Sequence, residues 1–250
     1  MKARIAITSW LRPIQLFKDY QADFYILDPA YVECVKRAGG IPFIVPLAGD
    51  AKAVLEEADG LLIIGGDDID PTLYGAVNEG DSKHVNPEMD RWELELIGEA
   101  EKLRMPVLGV CRGMQLISIA CGGRMEQEVA RLDLVDHPDL SSMGTEEVYA
   151  LRHEVEIVPG SRLASLAGQS TVTVNNIHHQ IVVDPGTLKV SARSKDGVIE
   201  AVETEDDWPV LGVQWHPEKL SGTLSERIFA DFVHKAKSYR TKMTETRESV

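Results

Sequence analysis

The chain is poor in cysteine and in positive charge, and it has no long apolar run. Cys34, Cys111 and Cys121 are its three cysteines, an odd and scattered set that does not make a disulfide framework. None pairs as C-x-x-C, so a structural zinc ribbon is not expected. Lys and Arg number 26 against 40 Asp and Glu, a formal charge of −14 over 250 residues. That balance argues against nucleic acid or a membrane surface as partner, because both need a basic face. It does not forbid an anionic small molecule, which one local Arg or Lys can capture. No run approaches the roughly 20 apolar residues of a membrane span. The opening MKARIAITSW reads as too short and too polar for a signal peptide. A reducing cytoplasm is the expected compartment.

Hydrophobic residues make up 44% of the chain, enough for one large core. In the first half, strand patterns at residues 4–8 (RIAIT), 41–47 (IPFIVPL), 60–64 (GLLII) and 106–110 (PVLGV) alternate with helical patterns at about 28–38, 51–58 and 89–104. Continuous apolar runs such as GLLII mark strands buried on both faces, and the alternation predicts right-handed βαβ units on a parallel sheet. The second half differs. Residues 154–158, 171–175, 188–193, 198–203 and 210–214 are short strands at close spacing, some of them antiparallel, with Lys195-Asp196-Gly197 as a hairpin turn. A last helix is expected over about 224–239. There is no internal repeat and no linker, so residues 1–240 read as one domain and residues 241–250 as a frayed polar tail.

In PVLGVCRGMQLISIA, Cys111 stands between a buried strand and a helix, with Gly109 and Gly113 two residues to either side. This is the cysteine form of the strand–turn–helix nucleophile elbow. Small neighbours relieve crowding at a strained turn, and the helix N-terminus favours thiolate and a developing oxyanion. Cys34 and Cys121 sit at helical apolar spacing and read as core residues.

A nucleophilic cysteine needs a base, and the base an orienting group. His216 and Glu218 follow the apolar strand in VLGVQWHPE. Residues two apart in extended chain face one side, and Pro217 biases His216 toward that geometry. Sites in open parallel sheets lie at the carboxyl ends of strands, where both Cys111 and His216 fall. The cluster NNIHHQ leaves His178 and His179 open as substrate contacts, ligands or an alternative base. A metal is not expected, because helix-borne or other fixed ligand spacings are absent. The loop GGDDIDP follows the strand GLLII, its paired glycines allowing an N–H to approach a ligand. Its acidic spacing lacks the twelve-residue calcium pattern.

Together, GVCRGMQ at residues 109–115, WHPE at 215–218 and the GGDDIDP loop resemble the class I glutamine amidotransferase superfamily. HHQ at 178–180 and DGVIEA at 196–201 resemble its branch of stand-alone γ-glutamyl hydrolases, typified by γ-glutamyl-γ-aminobutyrate hydrolase of putrescine breakdown. The likeness runs from about Arg4 to Phe232. It implies a flavodoxin-like three-layer α/β sandwich, its central sheet mostly parallel with added antiparallel strands. It also implies a Cys111–His216–Glu218 triad and an oxyanion hole of the Gly66 and Arg112 N–H groups. Gln115, His178, His179 and Gln180 would contact substrate. The implied activity is hydrolysis of a γ-glutamyl amide with release of glutamate, needing no cofactor or metal, with a small γ-glutamyl substrate as partner and a homodimer allowed. Two departures from the pattern, LISIACGG after Gln115 and Asn176 in NNIHHQ, leave the triad positions untouched. The rival expectations are a glutaminase subunit feeding ammonia to a synthase partner, a non-catalytic module on the same fold, and a metal hydrolase.

Overall fold

The structure, a computed structural model, describes residues 1–248, with side chains through residue 245. In chain order the elements are β1 (Arg4–Ile7), β2 (Trp10–Phe17), β3 (Tyr20–Ile26), α1 (Pro29–Arg37), β4 (Ile41–Ile44), α2 (Ala51–Glu56), β5 (Gly60–Ile63), α3 (Pro87–Lys102), β6 (Val107–Val110), α4 (Arg112–Ala120) and β7 (Arg124–Glu126). There follow α5 (Thr145–Ala150), β8 (Arg152–Ile157), α6 (Arg162–Ala167), β9 (Thr171–Asn175), β10 (Ile181–Asp184), β11 (Lys189–Ser194), β12 (Ile199–Glu203), β13 (Val210–Val213) and α7 (Thr223–Glu248).

One nine-stranded sheet runs in the order β4-β1-β5-β6-β13-β12-β11-β8-β9. The five strands from β4 to β13 are parallel, and the rest add antiparallel. Alternation along the strands sorts the core into two layers. Ile5, Ile7, Leu62 and Leu108 face a layer built with α1, α6 and α7. Ala6, Leu61, Ile63 and Val107 face the opposite layer, built with α2, α3 and α4. The expected α/β three-layer architecture is the one observed. Among the described residues no helix is long and apolar enough to cross a membrane.

Several helix starts are written in side chains. Asp28, Asp50 and Asn86 cap α1, α2 and α3 by accepting from backbone amides. At α4 the N-terminal position is Cys111, whose side chain makes no such bond, so the first amides of that helix stay open.

Three features depart from the sequence reading. The hairpin of β2 and β3 fills residues 10–26, where no element was expected. It lies off the main sheet with mostly exposed faces, so it carries no burial pattern to read. The short pair β7–β10 beside α4 was likewise not anticipated. Finally, α7 runs on to Glu248, well past residue 239. Arg240 bonds the buried Asp59 at 2.8 Å, which ties the start of the extension to the body. Of the tail expected at 241–250, residues 249 and 250 lie outside the described residues.

Candidate active site

The carboxyl ends of β1, β5, β6 and β13 meet at one point. Cys111 leaves β6 with φ 52° and ψ −109°, a backbone conformation a non-glycine residue adopts only under strain. Its N–H donates to the Val213 carbonyl at 2.8 Å, locking the turn to β13. The flanking glycines permit the turn sterically. A Cβ on Gly113 would stand 2.2 Å from the Ile63 carbonyl oxygen, and one on Gly109 would stand 2.7 Å from the backbone of Gly113.

The His216 ring stands beside Cys111: a Cβ on Gly65 would meet both, 2.6 Å from His216 Cε1 and 3.4 Å from Cys111 Cβ. On the other side of the ring, His216 Nδ1 is 2.7 Å from Glu218 Oε1, and the Glu218 side chain is fully buried. The pairing arises from a turn, not from continued strand: Pro217 opens a short 3-10 segment that folds Glu218 back on the ring. Burial opposes charge on His216, but the Cys111 sulfur and the Glu218 carboxylate outweigh it and raise the imidazole to about 10. The arrangement favours the charged, imidazolium form of His216.

Several supports were not picked out from the sequence. Asn175, at the end of β9, accepts from the His216 N–H at 2.8 Å and donates to its carbonyl at 2.9 Å, clamping that backbone from both sides. Tyr31 accepts from the Gly65 N–H at 3.1 Å. Trp10 donates its indole N–H to the Gly65 carbonyl at 2.5 Å, and Arg12 stacks on the Trp10 ring while pairing with Asp67. The position of Trp10, just past the carboxyl end of β1, was the available signal. Arg112 is buried against Asp90 and Glu93 of α3, which fixes α4 against that helix.

The expected oxyanion donors are neighbours. A Cβ on Gly66 would stand 3.1 Å from Arg112 Cδ. Among the described residues neither the Gly66 nor the Arg112 amide meets a backbone or side-chain acceptor. Beside Gly66 an open cleft of about 320 Å³ is lined by Asp68, Lys83, Glu128, Ser141 and His179.

The expected substrate contacts divide. His179 lines this cleft, held between Asp68 at 2.9 Å and Glu128 at 3.2 Å. Gln115 is buried, donating to the Gln180 carbonyl at 3.1 Å and to Gln214 at 3.3 Å, and Gln214 in turn lies 3.6 Å from the Cys111 sulfur. Gln180 is buried against Ser82. His178 turns away from the cleft into the interior, toward Glu200. Burial pushes its pKa down to about 3. Burial also resists charge on Glu200, but the histidines around it bring that carboxyl to about 2.

The sequence model of the Peptidase C26 family matches residues 4–218. The chain belongs to that family. A γ-glutamyl-γ-aminobutyrate hydrolase of Escherichia coli is 34% identical over 218 residues, covering 83% of this chain and 85% of the relative. Protein NtpR of Enterococcus hirae is 34% identical over 238 residues, covering 92% of this chain and 96% of the relative. A glutamine amidotransferase structure from Thermotoga maritima superposes with TM-score 0.55 at 15% identity, over 99% of this chain and 86% of the other, which is a likeness of fold. Family and hydrolase relative together support a hydrolase.

Proposed function

We propose that the protein is a cysteine hydrolase of γ-glutamyl amides, releasing glutamate and an amine. The observation that carries this reading is the convergence of Cys111 and the His216 ring beside Gly65, whose added Cβ would meet both, with that ring 2.7 Å from the buried Glu218 carboxylate. The Cys111 thiolate attacks the γ-carbonyl carbon, and the charge that develops on oxygen is taken by the Gly66 and Arg112 N–H groups, each such donor contributing about 3–4 kcal/mol. The imidazolium of His216 protonates the leaving amine as the C–N bond breaks. Neutral His216 then takes a proton from water, the hydroxide displaces the sulfur from the thioester, and glutamate leaves with Cys111 restored. Glu218 holds the ring tautomer and stabilises its charged form.

γ-Glutamyl-γ-aminobutyrate or a related γ-glutamyl amine is the substrate this reading favours, with water reaching the thioester through the cleft beside Gly66. The test is a substrate panel read by glutamate release, with purified protein alone and no added nucleotide or metal. The expected outcome is turnover of a γ-glutamyl amine at least about tenfold better than of free glutamine, because contacts to the amine side in the transition state carry selectivity. Preference for glutamine, or activity only after a second protein is added, would instead support an ammonia-supplying glutaminase.

A further inference from the structure

A second cluster of titratable side chains lies in the interior on the antiparallel side of the sheet, apart from Cys111 and His216. It gathers His137 from the loop before α5, His153 of β8, His178 just after β9, and Glu200 of β12. All four side chains are at most 1% exposed. His137 Nε2 lies 3.2 Å from Glu200 Oε1, His178 Nε2 lies 3.7 Å from the same oxygen, and His153 Nε2 lies 3.6 Å from Glu200 Oε2. The ligand atoms of His137, His153 and Glu200 all fall within 4.8 Å of one another.

The cluster is poorly satisfied as a hydrogen-bond network. Among the described residues, both ring nitrogens of His153, both of His178 and Oε2 of Glu200 meet no hydrogen-bond partner. Buried polar atoms are normally paired, so the unpartnered Nε2 atoms of His153 and His178, both facing the Glu200 carboxylate, call for a further occupant. We propose that His137, His153, His178 and Glu200 form a closed binding site for a divalent transition metal, zinc above others.

The geometry fits that occupant. Zinc bonds imidazole nitrogen and carboxylate oxygen at about 2.0–2.2 Å, so neighbouring ligands of a tetrahedral site lie about 3.3–3.5 Å apart. The contacts of 3.2, 3.6 and 3.7 Å around Glu200 bracket that edge. Three imidazoles on one tetrahedral ion have ring centres roughly 5 Å apart by the same bond lengths. The His137 ring is 5.0 Å from His153 and 5.3 Å from His178, while His153 and His178 are 6.5 Å apart and would close on the ion. A supporting carboxylate is already in place: Asp196 Oδ2 is 3.0 Å from His137 Nδ1 and leaves Nε2 of that ring for the metal, the common carboxylate–histidine arrangement. Three imidazoles and one carboxylate suit zinc and its first-row neighbours rather than calcium or magnesium, which take oxygen sets. With His137, His153 and Glu200 already grouped, His178 outside that group but able to close as the fourth ligand, and no exposed face, the site is structural. It would staple the loop bearing His137 to β8, to β12 and to the segment after β9, which begins next to the Asn175 that clamps His216. Sequence spacing gave no sign of it, because the ligands come from four distant segments and form no short motif.

The test begins with wild-type protein prepared without a metal-affinity step, stripped with a chelator and dialysed against zinc or cobalt. The expected result is one equivalent of tightly held metal by elemental analysis, visible d–d bands of tetrahedral cobalt, and an unfolding midpoint about 5–10 °C higher with a hundredfold excess of zinc over its Kd. Glu200→Gln and His153→Gln should lose that equivalent. His234→Ala, on the exposed face of α7, should keep it. Wild-type protein that takes up no stoichiometric metal and shows no zinc-dependent shift overturns the proposal, whatever the variants do and whatever the enzyme turns over.

Discussion

Gly65→Ala isolates the placement of the imidazole from the chemistry of the residues that act. The backbone at Gly65 does not have the positive φ that would strain alanine, and its N–H and C=O keep their bonds to Tyr31 and Trp10. The added methyl group would stand 2.6 Å from His216 Cε1, against about 3.4 Å for ordinary contact. Moving from 2.6 to 3.4 Å displaces the ring by at least 0.8 Å, and the Asn175 clamp on the His216 backbone prevents the segment from following freely. A misplacement of about 1 Å at a reacting group costs on the order of 10²-fold in rate. We expect kcat for glutamate release to fall by roughly 10²-fold with KM changed much less, because the methyl sits against the catalytic ring and not in the cleft. Steady-state glutamate release should be measured beside thermal unfolding, with Gly98→Ala as control, since a Cβ there meets nothing within 4 Å. If Gly65→Ala keeps kcat within about threefold of wild type while remaining folded, His216 does not need this position and the assignment of base fails.

Glu218→Gln keeps the size of the side chain but removes its charge from beside Nδ1; kcat should fall by roughly 10²- to 10⁴-fold, and activity within a factor of two of wild type would make Glu218 a packing residue only. Cys111→Ala should abolish turnover and leave the fold intact. Iodoacetamide should label Cys111 before Cys121, although Cys121 is the more exposed, because burial raises the Cys121 thiol and Cys111 faces an imidazolium; equal rates at all three cysteines would refute the elbow. The His216 ring should hold its proton through neutral pH and titrate near 10. Its charged form is favoured by Cys111 and Glu218, so Cys111→Ala must lower that midpoint, and NMR of ring-labelled histidine that finds a wild-type midpoint below 7 would contradict the ion pair.

The parallel half of the fold was legible because strands buried on both faces, such as GLLII and PVLGV, leave unbroken apolar runs. The helices between them carry caps and amphipathic stripes. Cys111, His216 and Glu218 were legible for a related reason: each follows one of those strands directly. The β2–β3 hairpin was not, since exposed pairing leaves no period of burial, and Pro13 within β2 argues against a strand. The roles of His178 and Gln115 were also hidden. His179 lines the cleft while His178 beside it does not, and which way each of these side chains turns depends on partners such as Glu200 and Gln214 that lie far off in the chain.

The left-handed backbone at Cys111 has a bearing on how this protein would respond to selection for heat resistance. A non-glycine residue held at φ 52°, ψ −109° costs on the order of 1–3 kcal/mol, which the rest of the fold supplies. Cys111→Gly releases that cost, so a thermostability screen blind to turnover should enrich loss of the very side chain that the proposed mechanism requires. The strain that aims the sulfur is a standing debt of the folded state. Gains in heat resistance that preserve activity must therefore come from sites away from this turn.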